Sequence, residues 1–323
     1  MSSRPLFWLL ITVLLTTSPA AEAQQPTKMS GVGFLGTEAR EQMDGVGRVL
    51  RELGYVEGKN VIYEFRAGRG DEPQRYADSA AELVRLKVDV IVAGGAGAVK
   101  AAKNASATIP IVMGTLNDPV ALGYVASLAH PGGNITGISN LSPELSGKRL
   151  ELVKEVVPKA TRIAVLAYRT EAMRTSIKGT EDAATFLKIK MQLLEISAPD
   201  QLEGLFNAAK KERADALVQI QANFLALYQR RIIDLAAKHR LPAMFNNQVD
   251  VEAGGLMSYG PDRADMNRQI AVMVDKILKG RKPADIPVEQ PKKFEFVINL
   301  KAAKQIGLTV PPEVLARANR VVR

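Results

Sequence analysis

The chain of 323 residues has no cysteine. That excludes disulfides, thiolate metal sites, cysteine nucleophiles and a lipid-bearing N-terminal cysteine. Histidine occurs only at His130 and His239. They stand far apart and in no metal-ligand spacing, so each reads as structural. Tryptophan occurs once, at Trp8, inside the N-terminal apolar segment. Beyond that segment no apolar run is long enough to cross a bilayer. Nucleotide signatures are missing too: Gly94-Gly95-Ala96-Gly97 follows a strand and opens a helix, but it fits neither G-x-G-x-x-G nor a Walker motif. Gly137-Ile138-Ser139-Asn140-Leu141 starts like a nucleophile elbow and lacks the closing glycine. No pair of acids can be assigned to acid/base work from spacing alone. No catalytic residue, cofactor or metal is therefore expected.

Basic residues outnumber acidic ones, for a net charge of +9. They do not cluster; Lys148-Arg149-Leu150-Glu151 and Lys210-Lys211-Glu212-Arg213 alternate bases with acids. Such patterning is that of a solvated surface rather than of a nucleic-acid site.

What is present begins with a targeting segment. Arg4 precedes the apolar stretch Leu6–Thr17, and Ala21-Glu22-Ala23 fits a small-x-small cleavage pattern. Residues 1–23 are read as a cleavable signal peptide, which predicts an exported, periplasmic protein.

The body of the chain uses one α/β unit twice. Lys87–Thr115 runs from a buried strand through a Gly-rich turn and a helix to Ile-Pro and a second strand. Arg213–Gln248 repeats that order, with Asp89 matching Asp215 and Pro110 matching Pro242. Before and between these units, β-branched runs alternate with segments of helical periodicity: strands at Lys28–Leu35, Asn60–Phe65, Val88–Ala93 and Pro110–Met113, then Arg162–Ala167, Lys190–Ile196, Ala216–Ile220 and Ala243–Phe245. Helices are expected after Asp118-Pro119, reaching about Ala129, near Phe224–His239, over the amphipathic stretch Asp262–Leu278 that Gly280 ends, and as a last turn or two in the tail Pro311–Arg323. Asn134–Leu141 is expected as an extended crossing between lobes. The fold class is α/β: two Rossmann-like lobes with parallel sheets, joined by a hinge that the chain crosses more than once. Lobe one is read as 28–139 with part of 262–290, and lobe two as 140–260 with part of 291–323.

Several runs carry a family resemblance. Arg51–Asn60 (RELGYVEGKN), Pro131–Gly137 (PGGNITG), Leu145–Leu152 (LSGKRLEL), Gly254–Pro261 (GGLMSYGP) and Lys276–Asp285 (KILKGRKPAD) are similar to the ABC-transporter substrate-binding protein family. The resemblance extends over essentially the whole chain after the signal segment. It implies a type I periplasmic-binding-protein fold, no enzymatic activity, and capture of a small solute for a membrane ABC permease. It also implies an amino-acid-like or aromatic solute. A ligand sensor of the same fold is the alternative, and an exported enzyme the more distant one. A monomer is the simplest expectation.

In such folds ligands sit beyond the C-terminal ends of the strands. That geometry nominates Thr37, Gly95, Thr115 and Asp118 in the first lobe. In the second it nominates Tyr168, Arg169, Gln221 and Asn246, with Asn140 and Tyr259 at the crossings. Asp118 caps a helix or pairs a ligand ammonium. Tyr168 stacks on a solute or covers its loop. Arg169 clamps a carboxylate or stays a solvated rim charge. Gln221 and Asn246 offer both donors and acceptors to an uncharged polar group.

Overall fold

A computed structural model describes residues 29–37, 39–68, 73–115, 118–139, 143–170 and 173–323. The expected signal peptide lies outside the described residues.

The first sheet holds β1 (Ser30–Gly36), β2 (Val61–Ala67), β3 (Val90–Gly94), β4 (Ile111–Thr115) and β5 (Ile135–Ser139), in the order β2-β1-β3-β4-β5. All of its pairs are parallel. Helices α1 (Ala39–Glu52), α2 (Pro73–Arg85) and α3 (Ala96–Ala105) connect these strands. The period of two sorts the strand side chains. Val32, Phe34, Val90, Val92 and Val112 form one core layer, and Leu35, Ile91, Ala93, Ile111 and Met113 the other. Both faces are covered, which is why β3 reads as an unbroken apolar run.

The second sheet holds β6 (Arg162–Tyr168), β7 (Lys190–Ile196), β8 (Ala216–Gln219), β9 (Ala243–Phe245), β10 (Met257–Pro261), β11 (Phe294–Asn299) and β12 (Arg320–Val322). Its order is β12-β11-β10-β9-β8-β6-β7, and only the β10–β11 pair is antiparallel. Its helices are α4 (Pro143–Val156), α5 (Arg174–Phe186), α6 (Leu202–Lys211), α7 (Asn223–Ala226), α8 (Gln229–Lys238) and α9 (Gln248–Glu252), followed after α10 (Arg263–Leu278) by α11 (Leu300–Ile306) and α12 (Pro312–Arg317). Of these, α10 packs on the first sheet, through Ile270, Met273 and Val274.

The repeat has a physical basis. Asp89 accepts a hydrogen bond from the Gly31 amide at 2.8 Å, at the start of β1. Asp215 accepts from Thr161 and Arg162 at 2.8 and 2.9 Å, at the start of β6. Two residues before each aspartate stands a left-handed residue, Lys87 at φ 53° and Arg213 at φ 59°. Each repeated proline carbonyl accepts from an amide of the preceding strand: Ile91 of β3 donates to Pro110 at 2.9 Å, and Leu217 of β8 to Pro242 at 2.8 Å. The same residues therefore turn helix into strand and fix strand register in both units.

The structure differs from the sequence reading in four places. Residues 118–131 form turns and no helix. Gly123 there is left-handed (φ 67°), and the chain closes with Ala126 donating to the Pro131 carbonyl at 2.9 Å. Asn134–Leu141 contributes β5, a fifth strand of the first sheet, because Ile135 and Ile138 are buried on its two faces. The expected single helix over Phe224–His239 breaks into α7 and α8. The C-terminal tail adds strand β12 after its helix.

The chain passes between the sheets three times: from β5 to α4, from β10 to α10, and from Glu289 to β11. Glu289 is held against the first sheet, with its amide donating to Gly137 and its carbonyl accepting from Ser139, both at 2.9 Å.

Helix α10 is tied to the loop after α1 by Tyr55, whose hydroxyl donates to Asp275 Oδ1 at 3.0 Å. Burial, with the Asp275 carboxylate alongside, pushes the Tyr55 phenol up to about 12. The folded state therefore holds this proton more tightly than the unfolded chain, whose phenol titrates near ~10. The resulting stability is complete below pH ~10 and is lost as pH rises toward 12. Tyr55→Phe should flatten part of that alkaline decline, measured as a smaller drop in unfolding temperature between pH ~9 and ~11.5 than in the parent.

Candidate functional site

Strand ends from both sheets meet around one cavity of about 330 Å³. Gly36 and Gly94 close β1 and β3, and Gly114 stands one residue before the end of β4, on one wall; Gln219, at the end of β8, and Asn246, just past β9, stand on the other. The glycines leave room where side chains would block it. A Cβ on Gly94 would meet Gln42 Oε1 at 3.1 Å, and one on Gly114 would meet Gln42 Nε2 at 3.3 Å. The amide of Gln42, from the first turns of α1, thus lies across two strand ends.

Helix α3 opens at this cavity. Its N-cap is Gly95, which has no side chain to accept from the first turn's amides. The helix dipole adds positive potential there. The opposite wall is rich in carboxamides. Gln219 and Gln229 pair reciprocally, Nε2 to Oε1 at 2.9 and 3.3 Å. Asn246 is 1% exposed, and both atoms of its amide lack a hydrogen-bond partner. Asp250, from α9, is buried at the same wall and accepts from the Asn247 amide at 3.3 Å. Near the crossings Arg149 is buried, and its Nε donates to the Tyr259 carbonyl at 2.8 Å. Burial lowers this guanidinium to about 10, against the pull of Tyr259 and Asp250. It remains charged at neutral pH.

Four nominated residues line the cavity together: Thr37, Gly95, Gln221 and Asn246. Thr37 shares a hydrogen bond of 2.9 Å with the Tyr76 hydroxyl. The other described candidates are engaged elsewhere. Asp118 accepts from Val120 and Ala121 at 2.9 and 3.2 Å, capping a turn. Tyr168 stacks on Phe224 with ring centres 4.4 Å apart. Arg169 is exposed and reaches Ser197 at 3.4 Å, beside a separate surface depression. Tyr259 receives Arg149 on its carbonyl and stacks its ring near Phe294 at 5.9 Å. Asn140 and the side chain of Thr115 lie outside the described residues.

Sequence reasoning missed Gln42, Gln219, Gln229 and the α10 residues Met266 and Asn267. Gln219 carried a readable signal, a polar residue inside the apolar run ALVQ. The α10 residues carried none, since only the crossing after β10 brings that helix to the site. Among the described residues no group of three or more His, Asp or Glu side chains is placed to hold a metal ion, and no helix is long and apolar enough to cross a membrane. Most of the polar side chains in the lining are amides, which donate and accept hydrogen bonds, a chemistry of recognition.

Known proteins share this architecture. A "Tyrosine-binding protein" of Clostridioides difficile (strain R20291) is 28% identical over 267 residues, 82% of this chain and 76% of that protein. A crystal structure described as an ABC domain in complex with L-Trp from Streptococcus pneumonia superposes with a TM-score of 0.81 at 25% identity, covering 92% of this chain and 100% of that one. A conserved domain protein from Vibrio cholerae O1 biovar El Tor str. N16961 gives a TM-score of 0.82 at 29% identity, with 92% of this chain and 100% of that chain covered. The fold is that of type I periplasmic binding proteins. The sequence profile described as "ABC transporter substrate binding protein" matches residues 34–322, and the chain belongs to that family.

Proposed function

We propose that this protein is an extracytoplasmic solute receptor: it captures a small solute in the cavity between its two sheets and delivers it to an ABC permease. The observation that carries this reading is one cavity lined by strand ends of both sheets, with side-chain amides from both in its wall. Residues 28–139 with 262–290 act as one body and 140–260 with 291–323 as the other. The three crossings are the hinge, and the solute favours the closed arrangement that the permease recognises. The protein acts as a monomer in the periplasm, reached through the cleavable segment 1–23. Thr37, Gly95, Gln221 and Asn246 contact the solute. One relative is named for tyrosine and another is described in complex with L-Trp, which supports a solute of amino-acid size.

The test is thermal unfolding of the purified protein, unfolded and refolded to strip solute, against amino acids, amides, aromatic acids, nucleosides and sugars. A ligand at ~100 times its dissociation constant should add about 2.7 kcal/mol of stability. The compound should be recovered unchanged. Recovery of a transformed compound would replace the reading with catalysis. No shift from any class would remove solute capture.

A further inference from the structure

Bases that stand apart along the sequence come together at one edge of the second sheet. Strands β7, β6, β8 and β9 are parallel neighbours in register, so their first residues share that edge. Each is entered through a basic turn. Lys159 precedes β6, and Lys188 and Lys190 enter β7. Lys210, Lys211 and Arg213 lead into β8, and Arg240 into β9. All of these bases are exposed, and their side chains have no ion-pair partner among the described residues. The acids at the edge are spent locally: Glu212 on Arg162 at 3.2 Å, Glu203 on Lys238, and Asp215 on the amides of Thr161 and Arg162. Neighbouring strands lie ~4.8 Å apart, so four strand starts span about 15 Å, within two Debye lengths at physiological salt. The unpaired charges therefore act as one field.

Helix ends alone do not require this arrangement. A helix C-terminus favours a nearby base. Yet the first sheet, built on the same unit, enters β4 through Ser106–Pro110 and β5 through His130–Asn134 without a lysine or arginine. Lys188, Arg213 and Arg240 are moreover left-handed, at φ 55°, 59° and 52°. Glycine or asparagine is the favoured residue in that conformation. The second sheet sets three such bases side by side, where the first has Lys87.

A separate observation concerns an aromatic ring. Phe186, the last residue of α5, is 83% exposed, more than any other large hydrophobic side chain among the described residues. It stands two residues before Lys188, in the turn that Lys188 closes by donating to the Thr185 carbonyl at 3.2 Å. Leaving such a ring in water forgoes the free energy of burying it. A ring beside bases suits the surface of a bilayer, where aromatic side chains lie at headgroup depth and lysine and arginine are drawn to anionic headgroups. A single ring offers no stacking platform for successive bases of a nucleic acid.

We infer that this edge of the second sheet docks onto an anionic phospholipid bilayer, with Phe186 entering the interface and the bases of the α5–β7, α6–β8 and α8–β9 turns attracting the headgroups. The strands run from this edge toward the cavity, where Gln219 ends β8. Docking thus leaves the cavity clear of lipid. The inference goes beyond solute capture and does not depend on it.

The experiment is co-sedimentation of the purified protein lacking residues 1–23, which retains every described element, with vesicles of phosphatidylcholine containing ~30% phosphatidylglycerol. The protein should sediment with these vesicles and stay in solution with pure phosphatidylcholine. Raising salt to ~0.5 M should weaken binding about 10-fold or more. Combining Lys188→Asn, Arg213→Asn and Arg240→Asn removes three charges and suits the left-handed backbone. That variant should unfold at the parent's temperature or above and bind anionic vesicles at least ~10-fold more weakly. Phe186→Trp supplies an independent reporter, because Trp8 is the only tryptophan of the sequence and lies in the removed segment. Its emission should shift to the blue on anionic vesicles and stay unchanged on phosphatidylcholine. An emission that does not move overturns the inference, and so does a triple-variant affinity within about 2-fold of the parent. Absence of sedimentation with anionic vesicles overturns it too, and retention on heparin would then assign this edge to a soluble polyanion.

Discussion

Gly137→Ala is expected to cost about 3–5 kcal/mol of stability, the sum of backbone strain and overpacking. Gly137 sits in β5 at φ 143°, outside the range that L side chains adopt. An added Cβ would lie 2.1 Å from the Met113 carbonyl oxygen and 2.5 Å from its nitrogen. Both are backbone atoms of β4, paired in register with Gly137, and neither can swing aside. Relief requires β5 to move away from β4. That movement would also disturb Glu289, whose amide donates to the Gly137 carbonyl. The damage should thus reach the third crossing between the sheets. Urea unfolding followed by circular dichroism reads the loss. Gly133→Ala is the control: a Cβ added there meets nothing within 4 Å, and the change should stay within about 0.5 kcal/mol. A Gly137→Ala cost below ~1 kcal/mol would mean that β5 shifts without resistance and is not a rigid edge of the first sheet.

Arg149→Ala should be of similar size, about 3–5 kcal/mol. Arg149 is buried at 4% exposure on α4 and donates to the Tyr259 carbonyl on β10. Those two elements adjoin the first and second crossings. Its burial is costly, and Asp250 and Tyr259 offset that cost electrostatically. Removing the guanidinium leaves the Tyr259 carbonyl without this donor and the buried Asp250 carboxylate without this cation. It also removes an aliphatic stem from the core. The cost should shrink when Asp250→Asn is combined with it, because the uncompensated charge is then gone. A double-mutant cycle on unfolding free energy measures that coupling, expected at ~1–3 kcal/mol. Strict additivity of the two variants would show that Asp250 does not sense Arg149 and would leave the packing loss as the whole effect.

Local chemistry that repeats along the chain was legible before any coordinates. Strand β3 announced itself by a run of β-branched residues, α10 by its amphipathic periodicity and the Gly280 that ends it, and the repeat by Asp89 with Asp215. Each of these signals acts over a few residues, through hydrogen bonds to near neighbours or a face buried at fixed spacing. The readings that differ fail where distant contacts overrule local preference. Asp118-Pro119 has the pattern of a helix start, yet Gly123 turns the chain within a few residues. Residues 134–141 read as a connector, yet the free edge of β4 recruits them as β5.

The site shows the same division. Thr37, Gly95, Gln221 and Asn246 follow from the rule that loops after strands face the ligand side of an α/β sheet. The rule is silent on which of those side chains turn inward. Tyr168 leaves the cavity lining to stack on Phe224, and Asp118 spends its carboxylate on a turn. Gln42, Met266 and Asn267 enter from helices that strand order alone does not bring together. Sequence by itself determined the α/β class, the duplicated unit and the family, because those rest on short-range pattern and on long runs of residue identity. Only the tertiary structure decided which amides share one cavity and which of them is left unpaired, because three crossings of the chain set those side chains face to face, and no local signal encodes a distance between segments more than a hundred residues apart.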